Sequence, residues 1–142
     1  MIRTDGFSER PGVAGESGGA VKTWTILDEL VIEVHSVSAR FSDAERTTLG
    51  RAMREAAVAA AVVLMNGASS GGPELGEAAK RALGALVPLR YQFYLARRLN
   101  LIDIRRYKLL CLRYERASSA LRALAALPVP ASPGSPRPAR SL

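Results

Sequence analysis

Lysine and arginine are concentrated in one part of this 142-residue chain, the segment 80–122. Eleven basic residues there stand against two acids, Asp103 and Glu115, so the segment has a formal charge of +9, whereas residues 1–79 have −4. Guanidinium and ammonium groups at this density can neutralise phosphates and displace condensed counterions without reading base sequence. The pattern therefore predicts a surface that binds nucleic acid or another polyanion.

Part of this charge has the spacing of a helix face. The face consists of Arg105, Lys108, Leu112 and Arg116, flanked by Arg106 and Arg113. A solvated face that only keeps the protein soluble is one alternative, and a docking surface for the acidic first helix of a neighbouring subunit (Asp28, Glu29 and Glu33) is another. Helical surfaces usually mix charge signs to gain i,i+4 pairs. The nearly uniform sign favours contact with phosphates.

Four tyrosines lie among these arginines: Tyr91, Tyr94, Tyr107 and Tyr114. Tyrosine rings can stack on unpaired bases. Tyr107 and Tyr114 also fit the apolar seam of a helix, which favours core rings with the hydroxyl at the edge. Leu95, Leu109 and Leu112 lie off that seam. They fit either a wide core or a surface that a second subunit covers.

No group of residues has the pattern of a catalytic or metal site. His35 is the only histidine and lacks the Glu-x-x-His spacing of a di-iron bundle. Cys111 is the only cysteine, so it fits best as a small apolar core residue. The stretch 69–72 lacks the lysine of a phosphate-binding loop. We predict a protein that is not an enzyme and that has no cofactor.

The composition, 48% hydrophobic and 23% charged, is that of a globular chain. The N-terminus lacks the apolar core of a secretory signal, and no run reaches the roughly 18 apolar residues that a membrane span needs. The single cysteine fits a reducing compartment. These features predict a soluble cytoplasmic protein with no membrane contact.

Helical periodicity predicts four helices in an all-α fold. The first covers 21–40. The second begins with a capping box at Ser42 and Glu45 and ends at Asn66-Gly67, before a loop to Pro73. The third covers 73–99 and is kinked near Gly84 by Pro88. The fourth starts at the cap residue Asp103 and ends before Pro128.

Each predicted helix has an apolar stripe that can face a common core. The four stripes are Leu27, Leu30, Val34, Val37 and Phe41, with Trp24 one turn earlier; Leu49, Met53, Ala56, Ala60 and Val63; Leu75, Ala79, Ala82, Leu86, Leu89, Phe93 and Ala96; and Ile104, Tyr107, Cys111, Tyr114, Ser118, Leu121 and Ala125. Short connections predict an up-down-up-down four-helix bundle over 21–127. It follows a flexible leader (1–20) and precedes a disordered, Pro-rich basic tail (128–142).

Two stretches resemble a known family. The second helix of one four-helix-bundle family resembles the stretch "FSDAERTTLGRAMREAAVAAAVVLMNGA". The third helix of that family and its turn into the fourth helix resemble the stretch "LGALVPLRYQFYLARRLNLIDIRRYKLL". That family groups the accessory variability determinant of diversity-generating retroelements with the ribosomal intervening-sequence proteins. The resemblance covers about residues 21–125 and includes Trp24 on the first helix.

The resemblance implies a non-enzymatic protein that forms a cationic ring of five bundles. Such a ring would bind a reverse transcriptase and its template RNA, or DNA, and would support mutagenic copying of a variable gene segment. The matching basic positions are Arg90, Arg97, Arg98, Arg105, Arg106 and Lys108, to which the charged face adds Arg113 and Arg116. The alternative, suggested by the intervening-sequence relatives, is a structural or protein-interaction bundle without nucleic-acid binding.

Overall fold

A computed structural model describes residues 18–70 and 73–127, which contain four long α-helices and one short one. They are α1 (Gly18–Ser38), α2 (Asp43–Arg46), α3 (Leu49–Ser70), α4 (Pro73–Arg98) and α5 (Ile104–Ala125). The described residues form no strand, so the all-α prediction is confirmed. The predicted tail lies outside the described residues, and so does the predicted leader up to residue 17. Helix α1 begins at Gly18, three residues before the predicted start.

The four long helices form a closed ring in chain order. Helix α1 packs against α3 and α5, and α4 packs against the same two helices. Because short connections join successive helices, each runs antiparallel to the one before it. This arrangement is the predicted up-down-up-down four-helix bundle. The C-terminal ends of α1 and α4 therefore lie at the same end of the bundle as the N-terminal ends of α3 and α5.

Two of the predicted apolar stripes form the centre of the core. The four predicted residues on α1 and Phe41, which follows the helix, are buried, and so are six of the seven on α4, with only Leu75 half-buried. Phe93 is fully buried and meets Tyr114 of α5 edge to face, with ring centroids 6.4 Å apart. Burial of each large apolar side chain contributes about 1.5–3 kcal/mol.

The stripes of α3 and α5 are rotated from their predicted positions. On α3, Met53, Ala57, Ala60 and Leu64 are buried, while the predicted Leu49, Ala56 and Val63 are half-buried. On α5 the core residues include Leu110, Ala117 and Leu121, and the predicted Ile104 is 47% exposed. Each helix in the ring contacts two neighbours. On α3 and α5, part of the predicted row lies at the edge of the buried face and not at its centre.

The predicted capping box at Ser42 is wrong. The Ser42 side chain makes no cap hydrogen bond, and the helix is interrupted at Thr47-Thr48 between α2 and α3. The Thr47 and Thr48 hydroxyls donate to the carbonyls of Asp43 (3.2 Å) and Ala44 (2.9 Å), which competes with the regular backbone ladder. The Arg54 guanidinium also donates to the Arg46 carbonyl (3.3 Å). The Ala44 and Arg46 carbonyls thus accept from side chains where a continuous helix would pair them with backbone amides, whereas the Asp43 carbonyl also keeps its bond from the Thr47 amide (3.3 Å).

The predicted helix stop at Asn66-Gly67 is also wrong, and the predicted loop from Gly67 to Pro73 is wrong over 67–70, while residues 71–72 lie outside the described residues. Helix α3 continues to Ser70, and Gly67 is buried within it. A Cβ built on Gly67 would overlap the Cβ of Ala78 and lie 3.3 Å from the Glu74 carbonyl oxygen. This glycine is therefore required where α3 and α4 approach closely, and it does not end the helix.

Helix α4 continues across Pro88, as the unbroken apolar stripe predicts. Proline has no amide hydrogen, so the helix loses one backbone bond, to the Gly84 carbonyl. Both residues are exposed, so water can hydrogen-bond the carbonyl. The kink expected near Gly84 stays a prediction.

The connection from α4 to α5 is a tight turn with two defined caps. Asn100 has a φ of 61°, the Leu101 amide donates to the Ala96 carbonyl (2.9 Å), and the Asn100 amide donates to the Arg97 carbonyl (3.1 Å). This is the Schellman arrangement that ends a helix. Asp103 then caps α5 as predicted, because its carboxylate accepts from the Arg106 amide (2.8 Å). The turn thereby fixes the distance between the last turn of α4 and the first turn of α5.

Acid should weaken this cap. The hydrogen bond from the Arg106 amide lowers the pKa of Asp103 below its ordinary value of 3.8. The stabilisation is therefore complete above that value and is lost as the pH falls through the lower folded-state pKa. We expect Asp103→Ala to lower the Tm at about pH 7 and to lower it less at about pH 2, whereas Asp103→Asn keeps a neutral acceptor. Thermal unfolding at both pH values measures the Tm of each variant. An equal decrease in Tm for Asp103→Ala at both pH values would contradict the role of the ionised carboxylate in the cap.

Candidate nucleic-acid interface

The α4–α5 turn brings five of the predicted site residues to one end of the bundle. Arg97 and Arg98 belong to the last turn of α4, and Arg105, Arg106 and Lys108 belong to the first turns of α5. We call these five residues the cationic end. The three from α5 line one surface cleft with Asp103 and Leu109. Their position follows directly from the two caps of the turn.

Little negative charge offsets the cationic end. Within 18–70 and 73–127, no carboxylate forms an ion pair with any of its five residues. Asp103 lies in the cleft. The Arg106 amide hydrogen bond, and then the charges of Arg106 and Arg105, lower the pKa of its carboxyl, so it is anionic near neutral pH. This single carboxylate caps a backbone amide, whereas the cationic end has five basic side chains, so the surface keeps an excess of positive charge.

Other arginines at this end of the bundle are held by groups of their own chain. Arg46 pairs with Asp43 (2.8 Å) and Arg51 with Glu55 (3.3 Å), while Arg54 donates to the Ser38 hydroxyl (3.0 Å). Arg40 is exposed just after α1. The linear pattern does not indicate Arg40 as a site residue, because only the antiparallel topology brings the end of α1 to the end of α4.

Two predicted site residues form ion pairs between helices. Arg90 of α4 donates to the Glu115 carboxylate of α5 (2.7 Å), and its guanidinium lies 5.6 Å from the Tyr114 ring centroid. Arg113 of α5 pairs with Glu29 (3.2 Å) and Glu33 (3.8 Å) of α1. Glu29 and Glu33, two of the three acids that could dock on a neighbouring subunit, are therefore already paired within the chain. The structure thus separates Arg90 and Arg113 from the cationic end.

Arg113 offers a test of this separation. We expect Arg113→Ala to cost about 1 kcal/mol of stability, because it removes a partly buried pair between α1 and α5. It should leave the salt dependence of RNA binding unchanged. Arg116→Ala is the matched control for the stability effect, since Arg116 is exposed and has no ion pair among the described residues. Chemical denaturation and RNA titrations measure both effects, and a reduced salt slope in Arg113→Ala would contradict this assignment.

The predicted face of α5 continues from the cationic end along the surface. Lys108 and Arg116 are exposed, and the Leu112 side chain between them is 57% exposed. These residues therefore share one exposed face of α5, and Arg116 extends the basic surface about two turns beyond Lys108.

The remaining candidates take structural positions. Tyr107, Cys111 and Tyr114 are half-buried against the core, as the seam predicted, and a hydrogen bond with the Cys111 thiol raises the pKa of Tyr107. His35 contacts the Val31 carbonyl through Nδ1 (3.1 Å). The described part of the chain contains no cluster of three or more His, Cys, Asp or Glu side chains placed to hold a metal. None of its helices combines the length and the apolarity needed to cross a membrane.

No protein-family model and no curated protein sequence matches this chain.

Proposed function

We propose that this protein is a non-enzymatic accessory protein of a diversity-generating retroelement. It acts as an oligomeric cationic scaffold that binds the reverse transcriptase and the template RNA during mutagenic copying. The observation that carries the proposal is the cationic end, where five basic side chains come from the last turn of α4 and the first turns of α5, and three of them share a cleft with one capping carboxylate. The link to a retroelement comes from the resemblance of the helix patterns to that family.

The chemistry of the cationic end suits a phosphate backbone. Arg105 and Lys108 are exposed and lie one helical turn apart, so one strand can contact both. Both residues belong to α5, so the helix backbone fixes their spacing, and binding orders only the two side chains. Contacts of this kind act on phosphates and bind without base specificity.

A groove between α1 and α3 supports self-association. Its lining combines Val58 and Val62 of α3, which are 39% and 51% exposed, with His35 of α1 and the charged side chains Arg51, Arg54 and Glu55. Ile32, one turn before His35, is 61% exposed. Adjacent exposed apolar side chains on neighbouring helices are typical of surfaces that a second subunit covers. The same groove also favours the second candidate, a protein-interaction bundle without nucleic-acid binding.

Binding of a structured RNA at two salt concentrations, combined with light scattering, tests the proposal. We expect a particle with the mass of several subunits and an affinity that falls steeply with salt. Absence of RNA binding at low salt would contradict the scaffold and favour the protein-interaction bundle. The neighbouring genes give a second criterion, because the scaffold requires a reverse-transcriptase gene and a near-repeat pair beside this one.

A further inference from the structure

The outer face of α4 has an exposed row of aromatic and basic side chains. Val87 and Tyr91 are each 62% exposed and Tyr94 is 43% exposed, and Arg98 follows one turn later. The Arg98 guanidinium lies 5.7 Å from the Tyr94 ring centroid and donates to its hydroxyl (2.9 Å). We call Tyr91, Tyr94 and Arg98 the tyrosine stripe.

The bundle does not need these rings for its own packing. The opposite face of α4 fills the core with Leu86, Leu89 and Phe93, which are fully buried. Exposed tyrosines therefore leave apolar ring surface in water that a partner can cover. The charge around them indicates which partner fits, because α4 contains no acid after Glu77 and ends in Arg97 and Arg98. A flat, anionic ligand suits this surface.

We infer that the tyrosine stripe stacks unpaired bases of a single-stranded nucleic acid whose phosphates lie on the cationic end. The inference rests on the proposed function and adds a preference for unpaired strands. Arg98 belongs to both surfaces, so a strand leaving the cationic end passes directly onto the rings. From Tyr91 to Arg98 the helix rises about 10 Å, which is room for a few nucleotides.

The ring geometry shows where a base can lie. Stacked bases are about 3.4 Å apart, so a base between two rings needs about 7 Å of parallel separation. The centroids of Tyr91 and Tyr94 are 6.0 Å apart and their planes are tilted by 43°, which excludes insertion between them in this conformation. A base therefore stacks on the outer face of Tyr91 or on the guanidinium plane of Arg98. A duplex keeps its bases covered and gains nothing from the stripe.

The test compares a single-stranded RNA with a hairpin of equal phosphate number whose stem is closed by a non-nucleotide linker, so that all its bases are paired, using the full chain. We expect Tyr91→Ala combined with Tyr94→Ala to weaken single-strand binding roughly 5- to 150-fold, the range for one stacked base. Hairpin affinity and the salt slope should not change. The matched control is Tyr91→Phe combined with Tyr94→Phe, which keeps the rings and should keep single-strand affinity.

Each other outcome is decisive. Unchanged single-strand affinity in the double alanine variant, or equal losses for both RNAs, would overturn the stacking site and leave the proposed function intact. A change in particle mass with unchanged binding would show that another copy of the chain covers the stripe. Failure of the unmodified chain to bind either RNA would overturn both proposals.

Discussion

Charge reversal at Arg105 and Lys108 is expected to weaken RNA binding roughly 50-fold or more at about 0.1 M salt. Both side chains are exposed and line the same cleft at the start of α5. On a duplex, each phosphate contact contributes about 0.9 to the magnitude of the slope of log affinity against log salt. Relative to 1 M salt, one contact therefore increases the affinity nearly tenfold at about 0.1 M. The loss of two contacts multiplies these factors, and the new carboxylates also repel phosphate. The slope itself should fall by about 2.

The matched control reverses Arg81 and Arg122, which changes the net charge by the same amount at the opposite end of the bundle. Both are exposed, and neither has an ion pair among the described residues. We expect at most a few-fold weakening in this variant. Fluorescence titrations at several salt concentrations measure both affinities, while circular dichroism and light scattering confirm the fold and mass. Equal losses in the two variants would show that net charge, and not the cationic end, controls binding.

Gly67→Ala is expected to destabilise the bundle by about 2–3 kcal/mol or more. The new methyl group would overlap the Ala78 Cβ on α4, and Ala78 has no rotamer through which to move away. The two helices must therefore separate where their backbones are closest, which also loosens the packing beside them. For a domain of this size the loss corresponds to a Tm lower by about 10 °C.

Gly84→Ala is the control for that substitution. Gly84 also lies inside a helix, but it is exposed and a Cβ there meets no atom within 4 Å. Alanine should therefore stabilise the protein by about 0.5–1 kcal/mol, because it loses less backbone entropy on folding. Thermal unfolding followed by circular dichroism compares the two variants. A loss of similar size in both would contradict the close helix approach at Gly67.

Which helices form, and which face of α1 and of α4 is buried, follows from the linear pattern. Apolar residues at three- and four-residue steps can be buried together only on a helix, so the stripe from Leu27 to Phe41 predicts both the helix and its core face. The Asp103 cap and the row from Arg105 to Arg116 depend on neighbours within a few residues. Local hydrogen bonds and helical spacing decide such features.

Contacts between helices decided the rest. Gly67 has the local signature of a helix stop, yet Ala78 of α4 makes it a site of close approach. Arg90 and Arg113 resemble the other arginines in the sequence, and only the positions of Glu115 and Glu29 on adjacent helices convert them into ion pairs. The exposure of Tyr91 and Tyr94 likewise depends on which side of α4 meets the core. The spacing of residues along one helix does not specify which side chains of another helix lie beside them. Contacts between helices are therefore determined only by the packing of the helices in the bundle.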